Sequence, residues 1–315
     1  IDSVRAFKTG LDDRDKLDAM DKFAKDSIEF KSAFCSAPSS IMSASSMFTG
    51  IPSAYIARNY NDWQFKEGSS IISLQSILIK EGYKIFSIDN SKESREMNQA
   101  LILPIRKKYL PKGYSHADYW TNEDLCIILE NLFKMHKPPK KSFFMLWFDC
   151  REDPLTSHYI DRCLDTFKKN DFYDNSIIFL TSDHGYPTPK TGLTKETMRK
   201  TGHDMVVTDD NIQIPFYLKY PKSKPRRIYN LVSNMDCAPT VLDLLNINLN
   251  KLSNLSEGKS LLKIADQESS YDSDDRIIRI DTRLFSQDDR VVALRSNNYK
   301  LVYYKDQNKY ELYDI

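Results

Sequence analysis

Four short, nearly uninterrupted apolar runs constrain most strongly what this chain can fold into. They lie at 84–88, 143–148, 176–180 and 214–218. Because these runs do not alternate between apolar and polar residues, we expect strands that are covered on both faces of a sheet. Apolar residues with helical spacing precede or separate them, at 17–28, 71–81, 121–136, 156–169 and 236–246. This alternation predicts an α/β fold with helices on both sides of the sheet.

The pattern changes after residue 250. Three apolar runs follow one another closely without a helical pattern between them, at 276–280, 290–294 and 299–303. We therefore expect a main domain over 1–250 and a small antiparallel subdomain over 251–315, which the chain enters through the polar stretch 264–275. Both ends of the chain are expected to be truncated, and any targeting segment would precede Ile1.

The charge and cysteine content argue against several classes of protein. Lys and Arg number 45 and Asp and Glu 44, so no long-range field of one sign attracts nucleic acid or an anionic membrane. The five cysteines lie far apart without a C-x-x-C pair, which predicts buried free thiols rather than a zinc ribbon or a disulfide framework. No apolar run approaches the ~20 residues that span a bilayer. We expect a soluble domain whose compartment and oligomeric state the sequence leaves open.

Asp183 and His184 closely follow the apolar run at 176–180. The carboxyl ends of strands form the ligand crevice of open α/β sheets, so both side chains are expected to face a site rather than the core. A carboxylate and an imidazole together can bind one divalent cation. A loop turn is the alternative interpretation. Asp2 would supply a second strand-end carboxylate if the residues before it complete a strand, and a helix N-cap is its alternative.

Serines crowd the start of a short predicted helix between residues 38 and 50. Unpaired backbone N–H groups and the positive end of the helix dipole favour an anion at such a place. A hydroxyl there can be activated by a neighbouring metal and can attack a bound ester. By composition alone, helix-capping serines are the alternative interpretation.

Taken together, these segments resemble the alkaline phosphatase superfamily, and in particular its sulfatase-like branch. Residues 1–6 are similar to the strand-end Asp-Ser-Leu-Arg-Ala signature of that branch, and residues 181–185 resemble its second metal motif. Ser40 precedes Gly50 by ten residues, which matches the spacing between the nucleophile and a Thr-Gly pair. Further similarities follow in order at 201–203, 213–215, 232–245, 258–262 and 311–314. The resemblance therefore spans nearly the whole chain.

The resemblance implies an alkaline-phosphatase-like fold, with a mostly parallel central sheet flanked by helices and a small C-terminal antiparallel α+β lobe. It also implies that Asp2, Ser40, Asp183 and His184 surround one divalent cation. An imidazole among carboxylates favours zinc or manganese over calcium.

Three further residues acquire roles from the same resemblance. His203 would contact the non-bridging oxygens or the leaving group of a substrate, or bind a second metal, and a surface histidine beside Asp204 is the alternative. Asp149 and Asp153 follow the run at 143–148, where two-metal relatives carry additional ligands. Because the chain has only five histidines, a second site rich in imidazole is not expected.

The segment around Ser40 departs from true sulfatases. Their formylglycine arises within a Cys/Ser-x-Pro/Ala-x-Arg motif, whereas the segment 40–44 lacks both the proline and the arginine. The segment 35–39 contains a proline but lacks the arginine and begins fifteen residues before Gly50. The Gly-Lys-Trp-His stretch with which sulfatases bind sulfate is also missing after the run at 84–88.

We therefore expect an unmodified Ser40 that attacks a phosphomonoester, phosphodiester or phosphonate. The expected intermediate is a phosphoserine, which water or an acceptor hydroxyl then attacks while His203 serves as acid, base or electrostatic clamp. The ester is expected to be a small molecule or part of a glycan or lipid, and nucleic acid is not an expected partner. Two alternatives stay open: a sulfatase with a modified Ser40 or Cys35, and a catalytically inactive binding protein on the same fold.

Overall fold

The computed structural model describes residues 1–6, 17–57, 60–61, 64–65, 71–89, 121–149, 155–188, 203–266, 275–282 and 290–315. The α-helices in these segments are α1 Asp18–Ala24, α2 Ser40–Thr49, α3 Ser53–Ala57, α4 Leu74–Lys80, α5 Asn122–His136, α6 Thr156–Lys169, α7 Asp209–Ile212, α8 Cys237–Leu244 and α9 Leu262–Asp266. The strands are β1 Ile28–Phe34, β2 Tyr60–Asn61, β3 Gln64–Phe65, β4 Lys84–Asp89, β5 Ser142–Trp147, β6 Ile178–Thr181, β7 Phe216–Lys219, β8 Arg226–Ser233, β9 Ile278–Asp281, β10 Val291–Arg295, β11 Tyr299–Tyr304 and β12 Lys309–Asp314. None of the helices in these segments is long and apolar enough to cross a membrane.

The central sheet is mixed. Strands β6, β7, β1 and β8 are hydrogen-bonded in that order, and β4 pairs with β5. The pairs β1/β8 and β4/β5 are parallel, whereas β7 runs antiparallel to both β1 and β6. The predicted α/β fold class is confirmed, and β7 is the departure from an otherwise parallel arrangement.

The first two residues connect the β4–β5 pair with the rest of the sheet at its carboxyl end. The Asp2 N–H donates to the Phe148 carbonyl, just after β5, at 2.9 Å. On the other side, the Ile1 nitrogen donates to Thr181 O at 2.9 Å and the Asp183 N–H donates to Ile1 O at 3.3 Å. The ends of β5 and β6 therefore meet through this segment, which gives Asp2 the position of a strand-end residue.

The first predicted helix was too long. Helical spacing over 17–28 predicts one helix, but α1 ends at Ala24 and Ile28 begins β1. Ile28 pairs with Leu218 of β7 on one side and with Arg226 of β8 on the other. These partners, distant in the sequence, hold the backbone extended, and local spacing does not reveal them.

Several strands had no apolar run to predict them, β8 and β12 among them. Strand β8 begins with Arg226 and Arg227, and only Ile228 and its last three residues are buried. Most of β12 is exposed, and it forms through backbone pairing with β11. The polar stretch 264–275 was expected to be a linker, but it is helical up to Asp266, and residues 267–274 lie outside the described residues.

Aromatic side chains fill the space between β4, β5 and helices α5 and α6. Phe144 of β5 stacks on Phe86 of β4, with 4.9 Å between ring centroids, and on Phe133 of α5, at 5.7 Å. Phe167 of α6 meets Phe144 edge-on at 5.2 Å.

The cysteines in the described segments are buried and free, as predicted, and Cys150 lies outside those segments.

The C-terminal strands form a separate antiparallel sheet in the order β12, β11, β10, β9. Arg276, just before β9, donates two hydrogen bonds of 2.7 Å to the two carboxylate oxygens of Asp236. Asp236 also accepts from the backbone N–H groups of Ser233 and Lys259, both at 2.8 Å. This buried pair joins the small sheet to the start of α8. The division of the chain at residue 250 stays a prediction.

Replacing Arg276 with Leu is expected to lower the free energy of unfolding by about 3–5 kcal/mol, because the Asp236 carboxylate would stay buried without its charged partner. Arg276 is 9% exposed and Asp236 is fully buried. Urea unfolding followed by circular dichroism measures the change. Lys168→Ala is the control, since its ion pair with Asp165, at 3.7 Å, is exposed and little change is expected. Equal losses in the two variants would contradict the assignment.

Candidate active site

Ser182, the residue after β6, holds several strand ends together. Its Oγ lies 2.7 Å from Ile1 O and 2.6 Å from His184 O, and it accepts a hydrogen bond from the Val4 N–H at 2.9 Å. It also lies 3.2 Å from Asp183 Oδ1. Because Ser182 is fully buried, water does not reach these polar groups, and their contacts with the Ser182 hydroxyl take the place of hydrogen bonds to water. The hydroxyl thus orients the turn that presents Asp183 and His184.

Asp2, Asp183 and His184 form one compact cluster. A ligand atom of each lies within 4.8 Å of the others, and all three side chains are buried. Ser3 supports both carboxylates: its N–H donates to Asp183 Oδ1 at 3.0 Å and its hydroxyl donates to Asp2 Oδ1 at 2.6 Å. Ser3 does so with a φ of 60°, a left-handed conformation that non-glycine residues rarely adopt and that concentrates at functional sites.

The tautomer of His184 follows from its neighbours. Its Nδ1 lies 2.7 Å from the Gly185 carbonyl, which can only accept, so Nδ1 carries the proton when the ring is neutral. The Nε2 lone pair then faces Ser40 Oγ at 3.1 Å and Asp183 Oδ2 at 3.3 Å. Among the described residues no donor makes a hydrogen bond to Asp183 Oδ2, although this atom is buried. A lone pair and a carboxylate oxygen that face each other in this way fit a divalent cation between them.

The ionisation of Asp183 agrees with a ligand role. Burial favours the neutral acid, but a positive charge on His184, the charge of the Ile1 amine and the hydrogen bonds from Ser40 and the Ser3 N–H outweigh it, so the pKa of Asp183 is lowered below its ordinary value. The side chain is therefore a carboxylate at neutral pH, which is the form that binds cations.

Ser40 is the first residue of α2, beside this cluster. Its hydroxyl therefore lies where the free N–H groups of the helix favour an anion. One turn further, the Ser43 hydroxyl donates to the Asp183 carbonyl and accepts from Asn234 Nδ2 at 2.7 Å. Asn234 Oδ1 in turn accepts from the Ser36 N–H at 3.1 Å. The start of α2 is thus tied both to the turn that carries Asp183 and His184 and to the end of β8.

Gly50 ends α2 in a conformation that strongly favours glycine. Its φ of 71° is left-handed, and a Cβ at this position would lie 2.3 Å from Ser256 Oγ. Its carbonyl accepts from the N–H groups of Glu257 at 2.9 Å and Gly258 at 3.0 Å. The Thr-Gly pair therefore terminates the helix and seats the chain that leads to α9.

His203 stacks on His184, with 4.6 Å between ring centroids and 27° between planes. Its Nε2 lies 2.9 Å from Asp204 Oδ1. Burial lowers the pKa of His203. The hydrogen bond and charge of Asp204, together with the charges of Asp183 and Asp2, raise it by more than burial lowers it, so the net shift of the pKa is upward. The charged form of the His203 imidazole is thus favoured beside the cluster.

Of the other two predicted carboxylates, only Asp149 is among the described residues, and it stays apart from this arrangement. Asp149 forms a parallel bridge to Asp2, and its backbone is bound on both sides by the Asn122 amide, at 2.7 and 3.1 Å. Asp149 does not belong to the described cluster of ligand atoms within 4.8 Å. Asp153 lies outside the described residues. The structure thus brings together Asp2, Ser40, Asp183, His184 and His203.

Sequence reasoning did not single out three residues that position this site. They are Ser43, Ser182 and Asn234. Ser182 and Ser43 lie inside the quoted motifs, where buried serines between the predicted ligands are a usable signal. Asn234 also lies inside a similar segment, 232–245, but it follows a strand that had no apolar run, so its position beside α2 depends on the tertiary structure.

Two family models match the second half of the chain. Residues 155–247 match the family described as Sulfatase, and residues 203–315 match the family described as N-sulphoglucosamine sulphohydrolase, C-terminal. Among individual proteins, the chain is similar to lipoteichoic acid synthase 2 of Bacillus subtilis (strain 168), with 29% identity over 100 residues, or 30% of this chain. It is also similar to the human N-acetylglucosamine-6-sulfatase, with 35% identity over 92 residues, or 29% of this chain. The matched segments span 15% of the length of each relative.

Solved structures extend the similarity to the whole fold. The structure of BT4656 in complex with its substrate D-glucosamine-2-N,6-O-disulfate has a TM-score of 0.72 at 14% identity, covering 99% of this chain and 89% of that one. The phosphonate monoester hydrolase SpPMH from Silicibacter pomeroyi has a TM-score of 0.68 at 15% identity, covering 99% and 87%. At such identities the likeness concerns the fold alone.

Replacing Ser182 with Ala is expected to weaken binding of zinc or manganese by about 10–100-fold, because the hydroxyl orients the turn that carries two ligands. Titration calorimetry on the purified protein measures the affinity. Thr181→Val is the matched control: this neighbouring hydroxyl contacts Pro215 O at 2.8 Å and Ser182 O at 3.2 Å rather than the cluster. Unchanged affinity in Ser182→Ala, with an intact far-ultraviolet spectrum, would count against the positioning role.

Proposed function

This chain belongs to the sulfatase-like branch of the alkaline phosphatase superfamily, and we propose that it is a metal-dependent hydrolase or transferase of phosphate-type esters. One observation carries the proposal. The Ser40 hydroxyl stands at the N-terminus of α2, 3.1 Å from His184 Nε2 and beside a buried cluster of two carboxylates and one imidazole. A nucleophile, cation ligands and an anion-favouring helix end thus meet at one place.

The ligand set suits a divalent cation. Asp2, Asp183 and His184 would hold it, with Ser40 as a further ligand, and oxygen donors with one imidazole fit zinc or manganese better than calcium. Such a cation lowers the pKa of a bound hydroxyl and stabilises charge on phosphoryl oxygens. The uncompensated Asp183 Oδ2 supports this assignment from the protein side.

Ser40 and His203 have different roles in the proposed reaction. Ser40 attacks the phosphorus in line with the leaving group, and the ester oxygen leaves as a phosphoserine forms. Water or an acceptor hydroxyl then attacks the phosphoserine and releases Ser40. His203, held by Asp204, places positive charge beside the cluster, where the non-bridging oxygens or the leaving oxygen of a substrate would lie.

Several features favour phosphate-type esters over sulfate. The segment 40–44 lacks the proline and arginine of the formylglycine motif. Cys35, the other residue with a resemblance to that motif, is fully buried, and burial together with the Asp183 charge raises the pKa of its thiol. Among the similar proteins, one is named a phosphonate monoester hydrolase and one a lipoteichoic acid synthase. These names, one of a hydrolase and one of a synthase, are compatible with either hydrolysis or transfer of a phosphate-type ester.

Sulfatase activity is the second candidate. Several similar proteins are named sulfatases, and BT4656 is described with a sulfated glucosamine as its substrate. On this chain, such an activity would require a modified side chain at Ser40 or Cys35. A glycan-linked ester is compatible with either candidate.

Ser40→Ala is expected to lower kcat/KM by at least about 10³-fold towards p-nitrophenyl phosphate, bis-p-nitrophenyl phosphate or a phenyl phosphonate monoester, because the nucleophile is lost. Release of p-nitrophenol or phenol, with zinc or manganese added, measures turnover. Ser39→Ala is the matched control: Ser39 is the N-cap residue of α2, and its side chain makes no capping hydrogen bond.

Turnover of p-nitrophenyl sulfate alone would contradict the phosphate assignment. Mass spectrometry of the segment 33–58 then decides between the candidates: the proposal predicts unmodified Ser40 and Cys35, whereas formylglycine at either position establishes the sulfatase. Metal-free protein that binds ligands without turnover would favour a binding protein on the same fold.

A further inference from the structure

Cys126 of α5 and Cys163 of α6 face each other across the helix pair. Their sulfur atoms are 3.3 Å apart, and Cys126 Sγ is also 3.3 Å from the Tyr159 carbonyl. Both residues are buried, with exposures of 0% and 2%. The thiols lie outside the proposed metal site, and the serine chemistry does not use them.

We propose that Cys126 and Cys163 form a reversible intrachain disulfide that ties α5 to α6. A disulfide bond is about 2.05 Å long, so each sulfur would move by roughly 0.6 Å, within the reach of a small side-chain rotation. The neighbouring ion pair keeps the helices at this separation: Arg162 donates to both carboxylate oxygens of Glu130, at 2.6 and 2.8 Å. The thiols are therefore juxtaposed before any oxidation.

The cross-link would act close to the proposed active site. Cys126 lies one helical turn after Asn122, whose amide binds the backbone of Asp149 at 2.7 and 3.1 Å. Thr156, the first residue of α6, contacts the same Asp149 carbonyl at 3.2 Å. Both helices thus clamp the end of β5, where Asp149 bridges to Asp2. Joining the helices would restrain this clamp.

One of the two thiols borders a cavity that is large enough for a small oxidant. Cys163, with Ile160 and Phe167 of the same helix, lines an apolar cavity of about 350 Å³. In the reaction with a small dialkyl disulfide, one protein thiolate attacks a sulfur of the reagent and releases an alkyl thiolate. The second protein thiolate then attacks the protein sulfur of the mixed disulfide and releases the second alkyl thiolate. The Sγ–Sγ bond forms, the S–S bond of the reagent breaks, and the two thiol protons pass to the two released alkyl thiolates.

The test is oxidation of the purified chain with bis(2-hydroxyethyl) disulfide, followed by alkylation in denaturant and tryptic mass spectrometry. The expected product joins the peptides 113–134 and 163–168, and dithiothreitol separates them. Because the bond closes a loop between residues 37 positions apart, the Tm is expected to rise by about 5 °C or more. Cys163→Ala should abolish both effects, whereas Cys35→Ala, a buried thiol in another cluster, should keep both.

Two results would overturn the inference. One is a wild-type chain in which Cys126 and Cys163 both stay alkylatable after oxidation, or in which Cys163 joins another cysteine. The other is a rise in Tm that persists in Cys163→Ala, since the stabilisation would then come from elsewhere. The wild-type peptide map decides the matter even if a variant fails to fold.

Discussion

The hydrogen bonds that hold Ile1 and Asp2 between the ends of β5 and β6 are the constraint on which the rest of the structure depends. Asp2 binds Phe148 O on one side, and Ile1 binds the backbone of Thr181 and Asp183 on the other. The buried Ser182 hydroxyl reinforces the same junction. Carboxylates from two strand ends thereby reach one point, which is the geometry that open α/β sheets use for ligands.

This convergence has an electrostatic consequence. Asp2 and Asp183 place two buried carboxylates next to an imidazole lone pair. Two negative charges in a medium of low dielectric constant repel each other, which makes the charged forms unfavourable. A cation relieves that cost. Asp204 is the main cause of the upward shift in the pKa of His203, and the charges of Asp183 and Asp2 add to it. Two neighbouring buried carboxylates are thus unfavourable in a protein core without a cation, but they are suited to binding a metal and, through it, an anionic ester.

The nucleophile is positioned by contacts from both halves of the chain. Helix α2 is pinned at its start by Asn234, through Ser43, and at its end by the chain around Gly258 that contacts Gly50. The residue pair Asp236 and Arg276 then couples α8 to the C-terminal sheet. The small sheet therefore supports the site at a distance, since it stabilises the segments against which α2 packs.

Local sequence determined a large part of this protein. Apolar runs and helical spacing predicted most strands and helices, and they placed Asp183 and His184 after a strand and Ser40 at a helix start, because periodicity reports which face of an element is buried. Only the tertiary structure decided that Ile28 is extended, that the His184 lone pair faces Ser40 and that His203 stacks on His184. The two atoms that join Ser40 to His184 belong to residues 144 positions apart, and the Ile1–Thr181 hydrogen bond spans 180. Contacts at such separations depend on how whole elements pack, and no local pattern encodes them.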